Sequence, residues 1–319
     1  MLGDGSVWVW GNTEIAPASM TAIHVPGLRS VIQRPVDGNH DFAVIEQPGT
    51  DASCPTSSSV YTWGLNRLGD LGIGVSVQQT FSTPQDVTAL DCKNVVAMAA
   101  GAQHMVALTG SGQVYVWGGG VRDTLGDGSI ESSDVPVLNA AATALTGGTS
   151  SGVEVTAGSS IGGILVNGQA YVWGNNKQGE CGCGSTMGGV DTPSAVEQGG
   201  LLFSFIDQGG DIGNNGHTLA LTATGAVYAW GTGTNGQLGQ GNTTNSSVPV
   251  LVPGLPVITD VRAGGVHSMA LDAGGNVWAW GGNADGQVGN GTLTDVLTPV
   301  DVESGIGMIS AGDVHSLSA

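Results

Sequence analysis

A Trp-Gly pair recurs six times in this chain of 319 residues, at Trp10-Gly11, Trp63-Gly64, Trp117-Gly118, Trp173-Gly174, Trp230-Gly231 and Trp280-Gly281. Successive pairs are 53, 54, 56, 57 and 50 residues apart, and the path from Trp280 through the C-terminus and on from Met1 to Trp10 is 49 residues. A linear array has no reason to make its two ends add up to one period. The spacing therefore predicts a ring of six repeats, closed by a unit assembled from both termini.

Each pair ends a strand-like tetrad, as in Val60-Tyr61-Thr62-Trp63 and Val227-Tyr228-Ala229-Trp230. Two aromatics two residues apart share one face of a strand, and β-branched and aromatic enrichment favours strand over helix. About thirteen residues earlier comes a Gly/Ala-rich segment that ends in His and a short apolar run, such as Gly264-Gly265-Val266-His267-Ser268-Met269-Ala270-Leu271. The two runs, joined by a Gly turn, read as a β-hairpin.

Downstream of Trp, position +6 is Gly69, Gly179, Gly236 and Gly286, with Asp123 the exception, and position +9 is Gly72, Gly126, Gly182, Gly239 and Gly289. A third glycine follows at +11, at Gly74, Gly128, Gly184, Gly241 and Gly291. Glycines at fixed offsets in unlike loops predict left-handed backbone or close approach. The apolar residue at +8 (Leu71, Leu125, Cys181, Leu238, Val288) reads as a plug under the blade. Pro26, Pro84, Pro136, Pro193, Pro249 and Pro299 then mark edge strands, where a missing N–H is tolerated. Four short strands per unit predict an all-β chain: a six-bladed β-propeller of four-stranded blades, one domain over 1–319.

The submotifs Gly216-His217-Thr218-Leu219-Ala220-Leu221, Val227-Tyr228-Ala229-Trp230-Gly231 and Gly236-Gln237-Leu238-Gly239-Gln240-Gly241 occur in that order. They resemble the repeat family of the regulator of chromosome condensation, and the resemblance runs along nearly the whole chain. It implies a β-propeller, usually of seven blades, where six pairs and the closing period predict six here.

The chain holds 26 acidic against 7 basic residues, a net charge of -19. Arg29, Arg34, Arg67, Arg122, Arg262, Lys93 and Lys177 are scattered. Nucleic acid and anionic membrane, which need convergent cations, are excluded as partners, and the acidity points to protein partners with basic patches. No apolar run approaches eighteen residues. Met1 leads straight into the closing strand, and four cysteines are too few for a disulfide framework, so the expectation is synthesis in a reducing cytoplasm without a signal peptide. Whether Cys54 and Cys92 pair is left open.

His40, His104, His217, His267 and His315 share one repeat position, and Ile161 replaces them in one unit. Together with Trp10, Trp63, Trp117, Trp173, Trp230 and Trp280 they read as repeat-structural residues, each His bonded to backbone of its own blade. Cys181-Gly182-Cys183 is half a metal knuckle without its other half, and Cys181 sits at the plug position. All eight tryptophans read as core. The carboxylates Asp70, Asp123, Asp127, Glu180, Asp285 and Asp295 read as solvated loop charge. No nucleophile elbow, phosphate loop or zincin motif is present, so no enzyme activity, metal or cofactor is expected.

Departures from the repeat give candidate interaction loops: Asn12 to His24, Gln47 to Ser59 with Asp51, Asn139 to Gly152, and Gln198 to Asn215 with Asp211. The expected function is a non-catalytic interaction or structural propeller within a larger assembly, such as a phage head-decoration or tail-associated protein. The resemblance supplies two alternatives, a guanine-nucleotide exchange factor and an enzyme inhibitor similar to type II β-lactamase inhibitory protein.

Overall fold

The computed structural model describes residues 6–11, 19–28, 31, 36–37, 41–46, 54, 57–210 and 216–319. The chain divides into two compact units, Met1–Val155 and Thr156–Ala319.

In the first unit β1 (Trp8–Gly11) pairs antiparallel with β2 (Ser19–His24). A four-stranded sheet follows in the order β3 (Val36–Asp37), β4 (Asp41–Glu46), β5 (Ser59–Asn66) and β6 (Gln79–Asp86). The next is built from β7 (Val95–Ala100), β8 (His104–Thr109), β9 (Val114–Gly118) and β10 (Ser133–Leu138). A helix, α1 (Ala140–Thr146), follows β10.

The division between the units falls within β11 (Val153–Ala157), whose sheet continues with β12 (Ile161–Val166), β13 (Gln169–Asn175) and β14 (Gly189–Ala195). The second unit repeats the pattern with β15 (Phe203–Gly209), β16 (His217–Thr222), β17 (Val227–Gly231) and β18 (Ser246–Leu251). It repeats again with β19 (Ile258–Ala263), β20 (His267–Asp272), β21 (Asn276–Gly281) and β22 (Val296–Ser304). It ends in the pair β23 (Ile309–Ala311) and β24 (Ser316–Ser318).

The His strand and the Trp strand pair as the predicted hairpin, with Thr218 opposite Trp230 and Ser268 opposite Trp280. Between β16 and β17 the turn needs Gly225 at φ +82, where an added Cβ would meet Val257 at 2.6 Å. Pro84, Pro136, Pro193, Pro249 and Pro299 all lie on the last strand of their sheet, an edge, as their missing N–H requires. Pro26 stands in a turn instead. Trp63, Trp117, Trp173, Trp230 and Trp280 are fully buried. Each such indole removes enough apolar surface to contribute about 4–6 kcal/mol of gross transfer free energy. The core lies between consecutive sheets: Leu219, Val227 and Leu238 of one repeat share a cluster with Val261, Ala270 and Trp280 of the next.

Three expectations change and one open question, the Cys54–Cys92 pairing, is answered. The expected shared terminal blade is not seen as one sheet among the described residues, where β1–β2 and β23–β24 are separate two-stranded sheets and no closed sheet forms. β23 and β24 have three residues each, too short to offer a long ladder. Cys54 and Cys92, 38 residues apart in sequence, are joined by a disulfide. The Asn139 segment holds a helix where an interaction loop was expected. Asn139 caps it by accepting from the Ala142 N–H, and Gly147 ends it at φ +65. Finally, Trp8 is 38% exposed, its ring edge-on to His24, so it is not a core residue.

Candidate functional site

The loops after four of the Trp-Gly pairs are held by the residue at position +7. Its side chain caps its own loop. Asp70 accepts from the Arg67 N–H at 3.3 Å, Glu180 from the Gln178 N–H at 2.7 Å, Gln237 from the Asn235 N–H at 2.9 Å and Gln287 from the Asp285 N–H at 2.9 Å. Its carbonyl receives the next repeat's indole, with Trp117 Nε1 donating to Asp70, Trp230 Nε1 to Glu180 and Trp280 Nε1 to Gln237 at 2.8–3.1 Å. The +9 glycine lies against the same indole. A Cβ at Gly72 would stand 2.7 Å from Trp117 Nε1, and one at Gly182 2.7 Å from Trp230 Nε1. Fixed glycine offsets thus record close approach across a repeat junction.

Asp70 and Glu180 are therefore buried caps rather than solvated charges. Burial pushes the Asp70 carboxyl up to about 6, against the pull of backbone N–H groups and the Arg67 guanidinium. The signal was present in sequence as an acceptor side chain, Asp, Glu or Gln, just before the +8 plug in four of five repeats, Thr124 being the exception. Leu238 and Cys181 pack in the clusters that contain Trp280 and Trp230, so the plug serves the next repeat as well as its own.

The histidines also reach forward. His217 Nε2 meets Ser268 Oγ at 2.9 Å, and His267 Nε2 meets Ser316 Oγ at 3.0 Å. Ser268 Oγ donates to the Gln237 carbonyl and Ser316 Oγ to the Gln287 carbonyl. A hydroxyl has one hydrogen, so each serine accepts from the imidazole and Nε2 carries the proton. The expected bond to own-blade backbone is thus replaced by a side-chain bond to the next repeat. Burial lowers the His217 imidazole to about 3 and that of His267 to about 4, with the neighbouring imidazole adding to the shift, so both stand neutral. His104 is buried at the same position. Where Ile161 replaces His, the Thr218 hydroxyl of the next repeat is buried with no hydrogen-bond partner among the described residues. No group of three His, Cys, Asp or Glu side chains able to hold a metal occurs among the described residues.

The candidate interaction loops divide. Asn12, His40, Gln47, Asp51 and Asp211 lie outside the described residues, as does the side chain of Trp10. His24 is exposed beside Trp8. Asn139 and Gln198 are buried braces: Asn139 Nδ2 donates to the Leu125 and Gly126 carbonyls, and Gln198 Oε1 accepts from the Ala170 N–H. Their side chains are not available to a partner, so any contact at those two loops falls to neighbouring residues.

A surface cleft of about 250 Å³ opens in the second unit beside the Asn283–Gln287 loop. Asp285, Asp295 and Asp313 wall it, with the amides of Asn235 and Gln287 and the side chain of Val266, and neither Lys nor Arg lines it. Asp295 is oriented by the Asn283 N–H at 2.9 Å. Elsewhere in this unit Asp207 accepts from the Ala263 N–H at 2.8 Å, and Arg262 pairs with Asp260 at 2.6 Å while stacking on Phe205. Burial raises the Asp207 carboxyl to about 6.

Comparison with known proteins then adds the following. The family model described as the regulator of chromosome condensation (RCC1) repeat matches residues 57–108, 224–271 and 274–319, and a second model of the same description matches 95–122 and 258–287, together just over half of the chain. The Arabidopsis thaliana "RCC1 domain-containing protein RUG3, mitochondrial" is 31% identical over 263 residues, covering 79% of this chain and 55% of its own. The human "E3 ubiquitin-protein ligase HERC2" is 32% identical over 237 residues, 72% of this chain and 4% of its own. The chain thus spans about half the length of the first relative and a small part of the second. Among solved structures, Prp20p from Saccharomyces cerevisiae, studied for binding to Gsp1p and histones, superposes with a TM-score of 0.80 at 21% identity, over 99% of this chain and 78% of that one. At that identity the likeness shows the fold, a β-propeller of four-stranded antiparallel sheets.

Proposed function

The chain belongs to the regulator of chromosome condensation (RCC1) repeat family, and on that premise we propose that it is a non-catalytic propeller that binds a protein partner through its glycine-loop surface. One observation carries this reading. The +7 braces hold the loops rigid from repeat to repeat while leaving carboxylates and single apolar side chains at the surface. Val77, Ile130, Met187 and Leu293 on these loops are 57%, 66%, 85% and 69% exposed. A rigid surface of isolated apolar anchors in an acidic field suits a partner with a basic, partly apolar face. Prp20p, studied for binding to Gsp1p and histones, is the model for that class. The test is titration of the full chain with histones and with a Gsp1p-type GTPase at about 50 and about 300 mM salt, where the charge contribution is weakly and strongly screened. Saturable binding that weakens with salt is expected, and no binding to either overturns the reading.

An exchange factor is the second reading, favoured by the likeness to Prp20p. Accelerated release of a labelled guanine nucleotide from such a GTPase supports it. Ligase activity does not carry over from HERC2, of which the chain spans 4%. The expectation of a virion component rests on composition alone, and neither relative named above nor Prp20p is a virion protein by its description.

Two finer statements belong to the same proposal. The first is one domain over 1–319, a six-bladed ring closed by both termini. It rests on the repeat period and on the strand tally, since β1–β2 and β23–β24, two separate pairs, number the four strands expected of one blade. Among the described residues nothing approaches Gly289, so a Gly289→Ala variant as costly as Gly182→Ala supports closure of the ring, and a much milder one argues against it. The second concerns compartment. The Cys54–Cys92 bond favours an oxidising environment over the reducing cytoplasm expected from cysteine number. Non-reducing peptide mapping of the natural protein tests it, and a free-thiol pair there removes the argument.

A further inference from the structure

We propose that Asn242 and Asn290 are acceptor sites for an N-linked glycan. The inference rests on the oxidising-compartment reading of the Cys54–Cys92 bond and names a modification that such a compartment performs.

The sequence supplies the acceptor pattern. Among sixteen asparagines, a hydroxyl residue stands two positions on, with no proline between, at Asn242-Thr243-Thr244, Asn245-Ser246-Ser247 and Asn290-Gly291-Thr292. The pattern is short, so the surroundings of each match decide whether it can act.

Those surroundings separate the three. Asn242 follows Gly241 and Asn290 precedes Gly291, the +11 glycines of consecutive repeats, so both stand on the same kind of loop. Both are exposed, as are Thr243, Thr244, Gly291 and Thr292. Asn245 is half-buried, and both ends of its carboxamide are used. Its Oδ1 accepts from the Gly233 N–H at 2.8 Å, and its Nδ2 donates to Gln178 Oε1 of the preceding repeat. A glycan on that nitrogen would take its place in the bond, so the third match is a brace and not an acceptor.

The other two carboxamides hold their oxygen against the chain. Asn290 Oδ1 accepts from the Thr292 N–H at 3.0 Å, from Thr292 Oγ1 at 2.8 Å and from Asn283 Nδ2 at 3.2 Å, while its Nδ2 has no partner among the described residues. Asn242 Oδ1 accepts from the Thr244 N–H at 2.8 Å, and its Nδ2 makes a single long contact, 3.3 Å, to the Gln240 carbonyl. Each is an Asx turn that leaves the nitrogen as the free edge. A bulky hydrophilic group there stands in solvent and displaces no core contact. The disulfide is the independent sign of compartment, because such bonds persist where secreted and lumenal proteins are made.

The step is a glycosyl transfer. The carboxamide nitrogen attacks the anomeric carbon of an oligosaccharide carried on a polyisoprenyl diphosphate. The C–N bond forms as the anomeric C–O bond breaks, the polyisoprenyl diphosphate leaves, and one amide proton passes to a base of the transferase. No oxidant or reductant takes part.

The experiment is a non-reducing peptide map of the natural protein before and after peptide N-glycosidase in heavy-oxygen water, which converts each glycan-bearing asparagine to labelled aspartate. Label at Asn242 and Asn290 and none at Asn245 is the expected result. A site without label is struck from the proposal, and absence at both overturns it. The same map reports the thiols. Bare asparagines with an intact Cys54–Cys92 bond reject the glycan and keep the compartment, and bare asparagines with free thiols reject both. Label with free thiols keeps the glycan and removes the disulfide as its support. In the full chain secreted from a glycosylating cell, Thr244→Val and Thr292→Val should each remove one glycan's step in gel mobility. A variant that keeps both steps rejects the acceptor pattern at its site.

Discussion

Two consecutive repeat junctions of the Thr156–Ala319 unit differ in one column of side chains. At the second, Trp280 Nε1 and Ser268 Oγ both donate to the Gln237 carbonyl, and His217 closes on Ser268. At the first, Trp230 Nε1 donates to Glu180, but Ile161 stands in the histidine position and the Thr218 hydroxyl is buried without a partner among the described residues. The indole bond survives the change and the imidazole ladder does not. The indole meets backbone, which every residue at +7 carries, whereas the ladder needs two particular side chains at once. The first is therefore the common fastening of the repeat and the second an optional one.

The comparison breaks most directly at the shared element. Trp280→Ala and Trp230→Ala should each cost about 3–5 kcal/mol, read by chemical denaturation, because each opens a large cavity. A cost below about 1 kcal/mol at either would show that the indole is not the post. Next, Gly182→Ala should cost about 2–3 kcal/mol, combining left-handed backbone at φ +65 with the indole 2.7 Å away. An Ala there within a few tenths of a kcal/mol of wild type would remove close approach as the reason for that glycine.

The ladder gives smaller effects of opposite promise. Ser268→Ala leaves the buried His217 Nε2–H without an acceptor and should cost about 2 kcal/mol, whereas Thr218→Val removes a hydroxyl with no partner among the described residues and should be neutral or slightly stabilising. Equal costs for the two would erase the distinction between the junctions. Acid sharpens it further. The His217 and His267 imidazoles lie at about 3 and about 4 when folded, against 6.5 as their ordinary value. Below pH 6.5 the unfolded chain takes up protons that the native one refuses, so stability falls as pH drops, by about 2 kcal/mol per imidazole at pH 5. Asp70 and Asp207, raised to about 6, act in the opposite sense, since the native form holds its protons there and gains as pH falls through 6. Hence His217→Asn should flatten the loss between pH 7 and 5, measured as Tm, and an unchanged slope would contradict a neutral buried imidazole. The smallest effect is a gain: Ile161→His, which supplies the partner Thr218 lacks, should stabilise by about 1 kcal/mol. Destabilisation would mean the first junction has no room for the ring.

What the sequence made legible follows from what repetition encodes. Equivalent positions such as Trp230 and Trp280, or Pro249 and Pro299, declare their strand, face and edge because each copy restates them. Partners across a junction are not restated, since alignment places Gln237 over Gln287 but says nothing of the indole that follows one of them. The same limit hid the burial of Asp70 and Glu180, whose charge suggested solvent while their loop enclosed them. Asn139 and α1 escaped because seven residues are too few to show a helical period, and Cys54 and Cys92 because two lone thiols carry no spacing rule. The acidic cleft was half visible in Asp285 and Asp295; Asp313, from another repeat, joins them only in three dimensions.

The junction chemistry also has a direction. His217 and His267 reach forward, and the +7 carbonyls of Asp70, Glu180 and Gln237 each receive an indole from the following repeat, so the contact is heterologous: front meets back, never like with like. Heterologous contacts specify a neighbour and an angle but no total, and whether such a series closes depends on the rotation accumulated per step. Repeat number is then free to differ between relatives without any change in the residues that join one repeat to the next.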